Sequence, residues 1–235
     1  MTLSSSPSLQ KEERKNPYRD PESLEFNFRA RRFQHIRPLI EDALDEKQKI
    51  NILDLGGTEE YWQIGADFLN HHRNKLKITL LNLEAEEVED TNIFEAIAGD
   101  AADPKLLQGE GFDLVHSNSV VEHMGSWDRM QRFAENSKRL SSRYFVQTPN
   151  YWFPFEPHFR LPGFQYLPKT MKVSLVQRFQ LGFFPRTPDR GEACSLVRHN
   201  TLISAAQMQQ LFDDGNIIFE KFAFLNKSIM AIRAR

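Results

Sequence analysis

The chain has 235 residues, a formal charge of −2 and one cysteine, Cys194. This length can bury a substantial core, and 40% hydrophobic with 26% charged residues excludes a disordered chain. The near-neutral charge speaks against a wholesale basic nucleic-acid binder, and a single cysteine excludes a disulfide framework or a cysteine-based zinc site.

Residues 1–25 open with Ser, Pro and charged side chains and hold no apolar h-region, so they read as a flexible arm rather than a secretory signal. No apolar run of ~18 residues follows. A cytoplasmic protein without a transmembrane segment is expected. Residues 26–235 then read as one domain. Phe33, Ile36, Ile40, Ala43 and Leu44 recur at helical spacing over residues 28–46, with Pro38 implying a kink or a late helix start.

Ile50–Leu55 is a short apolar run closed by Gly56-Gly57, the pattern of a buried strand feeding a tight turn. A helix over 60–71 is expected next. Strands follow at 77–83, 94–98 and 112–116, then a helix to about Leu140 and a fifth strand over 143–147. Beyond residue 200, Leu202–Phe212 reads as a helix, and 216–224 and 228–232 as two strands too close for a crossover. Alternating strands and helices predict an α/β, Rossmann-like, doubly wound and mostly parallel seven-stranded sheet. Its last strand would run antiparallel, at the edge. Ligands of such sheets lie at the carboxyl ends of the strands, which gathers the loops after residues 55, 83, 98, 116 and 147 on one rim.

The first rim loop is Asp54-Leu55-Gly56-Gly57-Thr58. It lacks the G-x-G-x-x-G of dinucleotide folds and the Gly-Lys-Ser/Thr of a P-loop, so a pyrophosphate is not expected there. A polar residue after the second strand, at Asn82 or Glu84, can bind ribose hydroxyls. Asp100, after the third, can accept from an exocyclic amine. Each has a plain alternative as a turn or a solvated acidic loop.

In combination, ILDLGG, LLNLE, AGDA and FDLVHSNSVVEH resemble the class I S-adenosylmethionine-dependent methyltransferases, and the last segment is similar to the small-molecule branch called methyltransferase type 11. The resemblance covers roughly residues 30–150 and 200–235. It implies S-adenosylmethionine as cofactor and S-adenosylhomocysteine as product. Asp54, Gly56 and Gly57 would flank its methionine and adenosine parts, Asn82 and Glu84 the ribose, Asp100 and Ala101 the adenine, and Ser117 and Asn118 the methionine. Thr58 and Asn82 depart from the usual glycine and ribose-binding acid.

Between the two matching stretches lies a segment of different character. Residues 151–184 hold ten of the chain's 27 aromatics. Across 150–190 six Lys and Arg face only Glu156 and Asp189, and six prolines argue against a run of sheet. An insertion folding over the rim as a lid is expected, with Tyr151, Trp152, Phe155 and Phe159 as acceptor-binding residues; a homodimer interface or a membrane-contacting patch are the competing readings. The acceptor would be a hydroxyl of an aromatic, sugar or lipid-like metabolite, its oxygen attacking the methyl carbon in line with the sulfonium leaving group. A nucleic-acid methyltransferase and a non-catalytic scaffold are the alternatives. Candidate bases are His158, then His123, with Glu156 beside them. No metal site is expected: His71 and His72 are adjacent and do not share a helix face.

Overall fold

A computed structural model describes Tyr18 and residues 20–235. The expected arm therefore lies mostly outside the described residues. Helix α1 spans Leu24–Glu46, so it begins before residue 28 rather than late. Ser23 caps it, its side chain accepting from the Phe26 N–H. Pro38 sits on the exposed face, where the carbonyl freed by its missing N–H meets water. Arg32, Phe33, Ile36, Leu39, Ile40 and Ala43 form the buried stripe.

The strands are β1 (Ile50–Leu55), β2 (Leu76–Asn82), β3 (Phe94–Ala98), β4 (Leu114–Asn118), β5 (Tyr144–Pro149), the two-residue β6 (Phe155–Glu156) and β7 (Leu161–Pro162), β8 (Asn216–Phe222) and β9 (Leu225–Arg233). Seven form one sheet in the order β3-β2-β1-β4-β5-β9-β8. β1 to β5 pair in parallel, and β9 runs antiparallel to both β5 and β8. The fold is thus the expected Rossmann-like α/β sheet with its last strand reversed. The edge assignment is corrected: β9 lies inside and β8 forms the edge, because β9, not β8, pairs with β5, and the tight turn at Ala223–Phe224, both at positive φ, joins the two.

Helices cover both faces. The segment 60–71 is broken into α2 (Glu59–Trp62), a 3₁₀ turn and α3 (Ala66–His71). The break falls at Gly65, where a Cβ would stand 2.3 Å from the Phe33 ring of α1. α4 (Trp127–Leu140) begins later than expected, since Gly125 at φ +77° and the Ser126 cap set its start and leave Val121–His123 as a separate 3₁₀ turn. One core packs the β5/β9 side against α4 and α7 (Ala205–Leu211), the other packs α1 and the α2–α3 segment against β1 and β2. No helix among the described residues is long and apolar enough to cross a membrane.

The aromatic insertion is more ordered than its prolines suggest. The β6–β7 hairpin leads to α5 (Lys169–Arg178), which packs on α6 (Arg190–Arg198), a helix the sequence reading does not contain. Phe159, Phe164, Val173, Val176, Ala193 and Val197 form a third, separate core there. The insertion therefore runs to the end of α6, past residue 190.

Candidate functional site

Asp54 ends buried beneath the first rim loop. Its Oδ1 lies 2.7 Å from His116 Nδ1 and its Oδ2 accepts from Trp62 Nε1 at 2.8 Å. Both carboxylate oxygens are engaged inside the protein, so Asp54 braces the loop from below. A Cβ on Gly57 would stand 1.8 Å from Asp54 Oδ2, so this turn accepts only glycine. Gly56 has φ +73° and lies under the Val120 side chain.

Asn82 Nδ2 donates to the Gly57 carbonyl at 2.8 Å. Its amide ties the second rim loop to the first, a bond a carboxylate cannot make, and this accounts for an amide at the position. Glu84 is exposed. Asp100 accepts from the Ala102 N–H and, through both oxygens, from Arg129 Nη2 at 2.9 Å. Its side chain keeps 34% exposure, so lone pairs remain for a further donor. Ala101 is buried beside it. Ser117 gives its hydroxyl to the Leu55 carbonyl at 2.9 Å and is fully buried. It ties the end of β4, which extends to Asn118, two residues beyond the expected end, to the first rim loop. Asn118 reaches the rim, its Oδ1 accepting from Arg32 Nη1 at 2.8 Å.

The donor–acceptor chemistry of the rim fits S-adenosylmethionine. The adenine amine and the ribose hydroxyls need acceptors, and Asp100, Glu84 and the Asn82 side-chain oxygen are acceptors that follow or end β3 and β2.

A cavity of about 560 Å³ adjoins Asn118 and Ser119. α1 contributes Phe28, Arg29 and Arg32, and the insertion contributes Phe153, Phe155 and Arg160. Lys227 adds another cation, and among the described lining side chains Glu25 is the one acid. Arg160 stands over the Phe183 ring at 5.4 Å. Of the four predicted acceptor residues, only Phe155 lines this cavity. Trp152 is 66% exposed, Tyr151 packs edge-on against it and Tyr166, and Phe159 is buried in the insertion's own core against Phe164 and Phe184. Phe159 therefore holds the insertion together. Phe28, Phe153, Arg29, Arg32, Arg160 and Lys227 are the wall residues that the sequence reading missed. Arg32 carried a signal, being a cation on the apolar stripe of α1.

The three predicted catalytic residues are brought together with a fourth. His158 Nδ1 lies 2.8 Å from Glu156 Oε1, while Glu156 Oε2 accepts from the Phe159 N–H at 2.6 Å. The His123 ring meets the His158 ring edge-on at 4.8 Å, and His123 Nδ1 lies 2.8 Å from the His199 carbonyl. Glu122 is completely buried between them. Its Oε2 accepts from the Thr148 hydroxyl at 2.9 Å, and its Oε1 stands 4.0 Å from His158 Nε2 with no hydrogen-bond partner. Burial alone would lower the His158 pKa, but the Glu156 hydrogen bond and the charges of Glu122 and Glu156 outweigh it, and the net shift is upward. A charge inside the apolar run Val120-Val121-Glu122 was the sequence signal for Glu122.

No family model matches the chain. Two uncharacterised proteins of Mycobacterium tuberculosis strains, MT1557 and Rv1509, are each 34% identical over 59 residues, a quarter of this chain and a fifth of their own length. Solved structures similar to it include an O-methyltransferase family protein from Burkholderia thailandensis (10% identity, 88% of this chain, 57% of that one, TM-score 0.47). Others are the N-methyltransferase NodS from Bradyrhizobium japonicum (10%, 87% and 96%, 0.44), and magnesium protoporphyrin IX methyltransferase from Synechocystis with S-adenosylhomocysteine bound (12%, 92% and 91%, 0.44).

Proposed function

We propose that the chain is a class I methyltransferase that moves the methyl group of S-adenosylmethionine to a hydroxyl of a small acceptor with an apolar body and an anionic group. The observation that carries this reading is the apolar, cation-walled cavity opening beside Asn118 and Ser119 at the end of β4, in the sheet whose strands β1, β2 and β3 lead to Gly56, Asn82 and Asp100. S-adenosylmethionine supplies a methyl group on a sulfonium leaving group, so the protein's task is mainly orientation and exclusion of water, which can lower a barrier by roughly 7–11 kcal/mol.

Asp100 would accept from the adenine amine, held in place by Arg129. Asn82 and Glu84 would accept from ribose hydroxyls, and the Gly56-Gly57 turn would lie against the ligand, kept rigid by Asp54, Ser117 and Asn82. Phe28, Phe153 and Phe155 would hold the acceptor's apolar part, and Arg29, Arg160 and Lys227 would attract its negative charge. His158 would take the hydroxyl proton, with Glu156 holding its Nδ1 and His123 beside it; its neighbour Pro157 lines the cavity.

The test is a thermal-shift titration with S-adenosylhomocysteine. A rise in melting temperature that Asp100→Ala abolishes supports the reading. No shift with either S-adenosylhomocysteine or S-adenosylmethionine overturns it.

A further inference from the structure

Glu122, His123 and His158 together have the form of a metal site. One donor atom from each lies within 4.8 Å of the others. The hydrogen bonds around them decide which atoms those are. A carbonyl only accepts, so the His123 nitrogen facing the His199 carbonyl carries the hydrogen, and the lone pair of the neutral ring is on Nε2. By the same logic the Glu156 carboxylate holds the hydrogen of His158 on Nδ1 and leaves the Nε2 lone pair toward Glu122. Glu122 spends Oε2 on Thr148, and its buried Oε1 has no hydrogen-bond partner among the described residues.

Each donor is thus backed by a second group that fixes its orientation: the His199 carbonyl, the Glu156 carboxylate and the Thr148 hydroxyl. Imidazoles whose other nitrogen is bound to a carbonyl or a carboxylate are the usual form of histidine ligands. A buried carboxylate oxygen left without a partner is costly unless a cation or a proton donor meets it. Metal–nitrogen bonds of 2.0–2.1 Å in a tetrahedron would put donors about 3.3 Å apart. The observed 4.0 Å between Glu122 Oε1 and His158 Nε2, within a set of donors no more than 4.8 Å apart, would contract onto such an ion.

We propose that Glu122, His123 and His158 bind one divalent first-row transition cation, with Zn²⁺ as its natural probe. Two imidazoles and one carboxylate favour such an ion over Mg²⁺, which prefers an all-oxygen octahedron. Three protein donors leave a coordination position for an oxygen ligand. The sequence gives little sign of the site, because His158 arrives from the insertion and the other two from the turn after β4. The inference touches the proposed methyl transfer at one point. With an ion on Nε2, the acceptor hydroxyl would be acidified by the metal instead of by the His158 imidazole.

The experiment strips the full chain with a chelator, titrates it with Zn²⁺ by calorimetry, and records the visible spectrum of the Co²⁺ form. One ion per chain is expected, with the intense bands of low-coordinate Co²⁺. Glu122→Gln and His123→Ala should each weaken Zn²⁺ binding at least tenfold while the S-adenosylhomocysteine shift persists. Absence of stoichiometric Zn²⁺ uptake, uptake unchanged in both variants, or a preference for Mg²⁺ overturns the proposal. Loss of S-adenosylhomocysteine binding with Zn²⁺ binding intact would count against the methyltransferase reading and leave the metal site standing.

Discussion

Arg32 of α1 grips Glu220 of β8 in a fork, Nε to Oε1 at 2.9 Å and Nη2 to Oε2 at 3.0 Å, with both side chains buried. Its remaining Nη1 donates to Asn118 and to Gln147 Oε1 at 3.2 Å. One guanidinium thus joins the first helix, the ends of β4 and β5, and the edge strand, directly beneath the cavity. Removing one partner of a buried pair strands the other and costs roughly 3–5 kcal/mol. Glu220 keeps Lys227 and Ser228, so Arg32→Ala should fall at the lower end, about 3 kcal/mol by urea denaturation. Arg32→Lys should recover little of it, because an ammonium cannot reproduce the fork.

The same pair predicts an acid limit. Burial works against a charged Glu220, but Arg32 and Lys227 more than compensate, and its pKa lies below the ordinary 4.5. A carboxyl depressed in the folded state stabilises fully above its unfolded pKa, and that contribution drains away as pH falls through the folded value. Stability should therefore drop below about pH 4.5. Glu220→Gln should be less stable at neutral pH and show a shallower loss between pH 5 and pH 3. Parallel curves for the two proteins would refute the linkage.

Asp54 is a loop-positioning residue, and this separates it from Asp100 experimentally. Asp54→Asn would turn an amide N–H₂ toward the His116 or Trp62 donor and leave one of them unmatched, a cost of about 2 kcal/mol. Gly57→Ala would drive a Cβ into a carboxylate that cannot retreat, costing about 3 kcal/mol by overpacking. Both variants should lose stability and S-adenosylhomocysteine affinity together. Asp100→Ala should lose affinity with the melting temperature of the free protein nearly unchanged. A stable Gly57→Ala protein with full affinity would contradict the geometry of this loop.

The strands of the parallel sheet were legible because both faces are covered, so β1 and β2 read as mainly apolar runs ended by glycine or polar residues. Their loops were legible for the same reason, and Gly56, Asn82, Asp100 and Asn118 fall on one rim as their order along the chain requires. The edge order was not, since a two-strand hairpin can fold to either side and only β5–β9 pairing decides it. Nor was the wall of the cavity. Phe28, Arg29 and Arg32 sit in a helix far from the loop motifs, and their exposure to the site depends on how α1 crosses the sheet. In the insertion, aromatic density alone could not separate Phe155, which lines the cavity, from Phe159, which fills the segment's own core.

That distinction yields the last prediction. Arg160 is exposed, has φ +50°, and stands over Phe183 on the wall of the cavity. Charge neutralisation there should weaken an anionic ligand without touching the core, whereas Phe159→Ala should hollow the core of the insertion and cost about 3–5 kcal/mol. The fluorescent probe 1-anilinonaphthalene-8-sulfonate combines an aromatic body with one negative charge, so it reports on both features. Arg160→Gln should weaken its binding several-fold, in line with the loss of one exposed cation worth up to about 1 kcal/mol, and should reduce the salt sensitivity of binding. Phe155→Ala should weaken the probe with the salt dependence retained. If neither variant changes probe affinity while Trp152→Ala does, the apolar surface in use is the exposed face of the insertion, and the cavity is not the acceptor site.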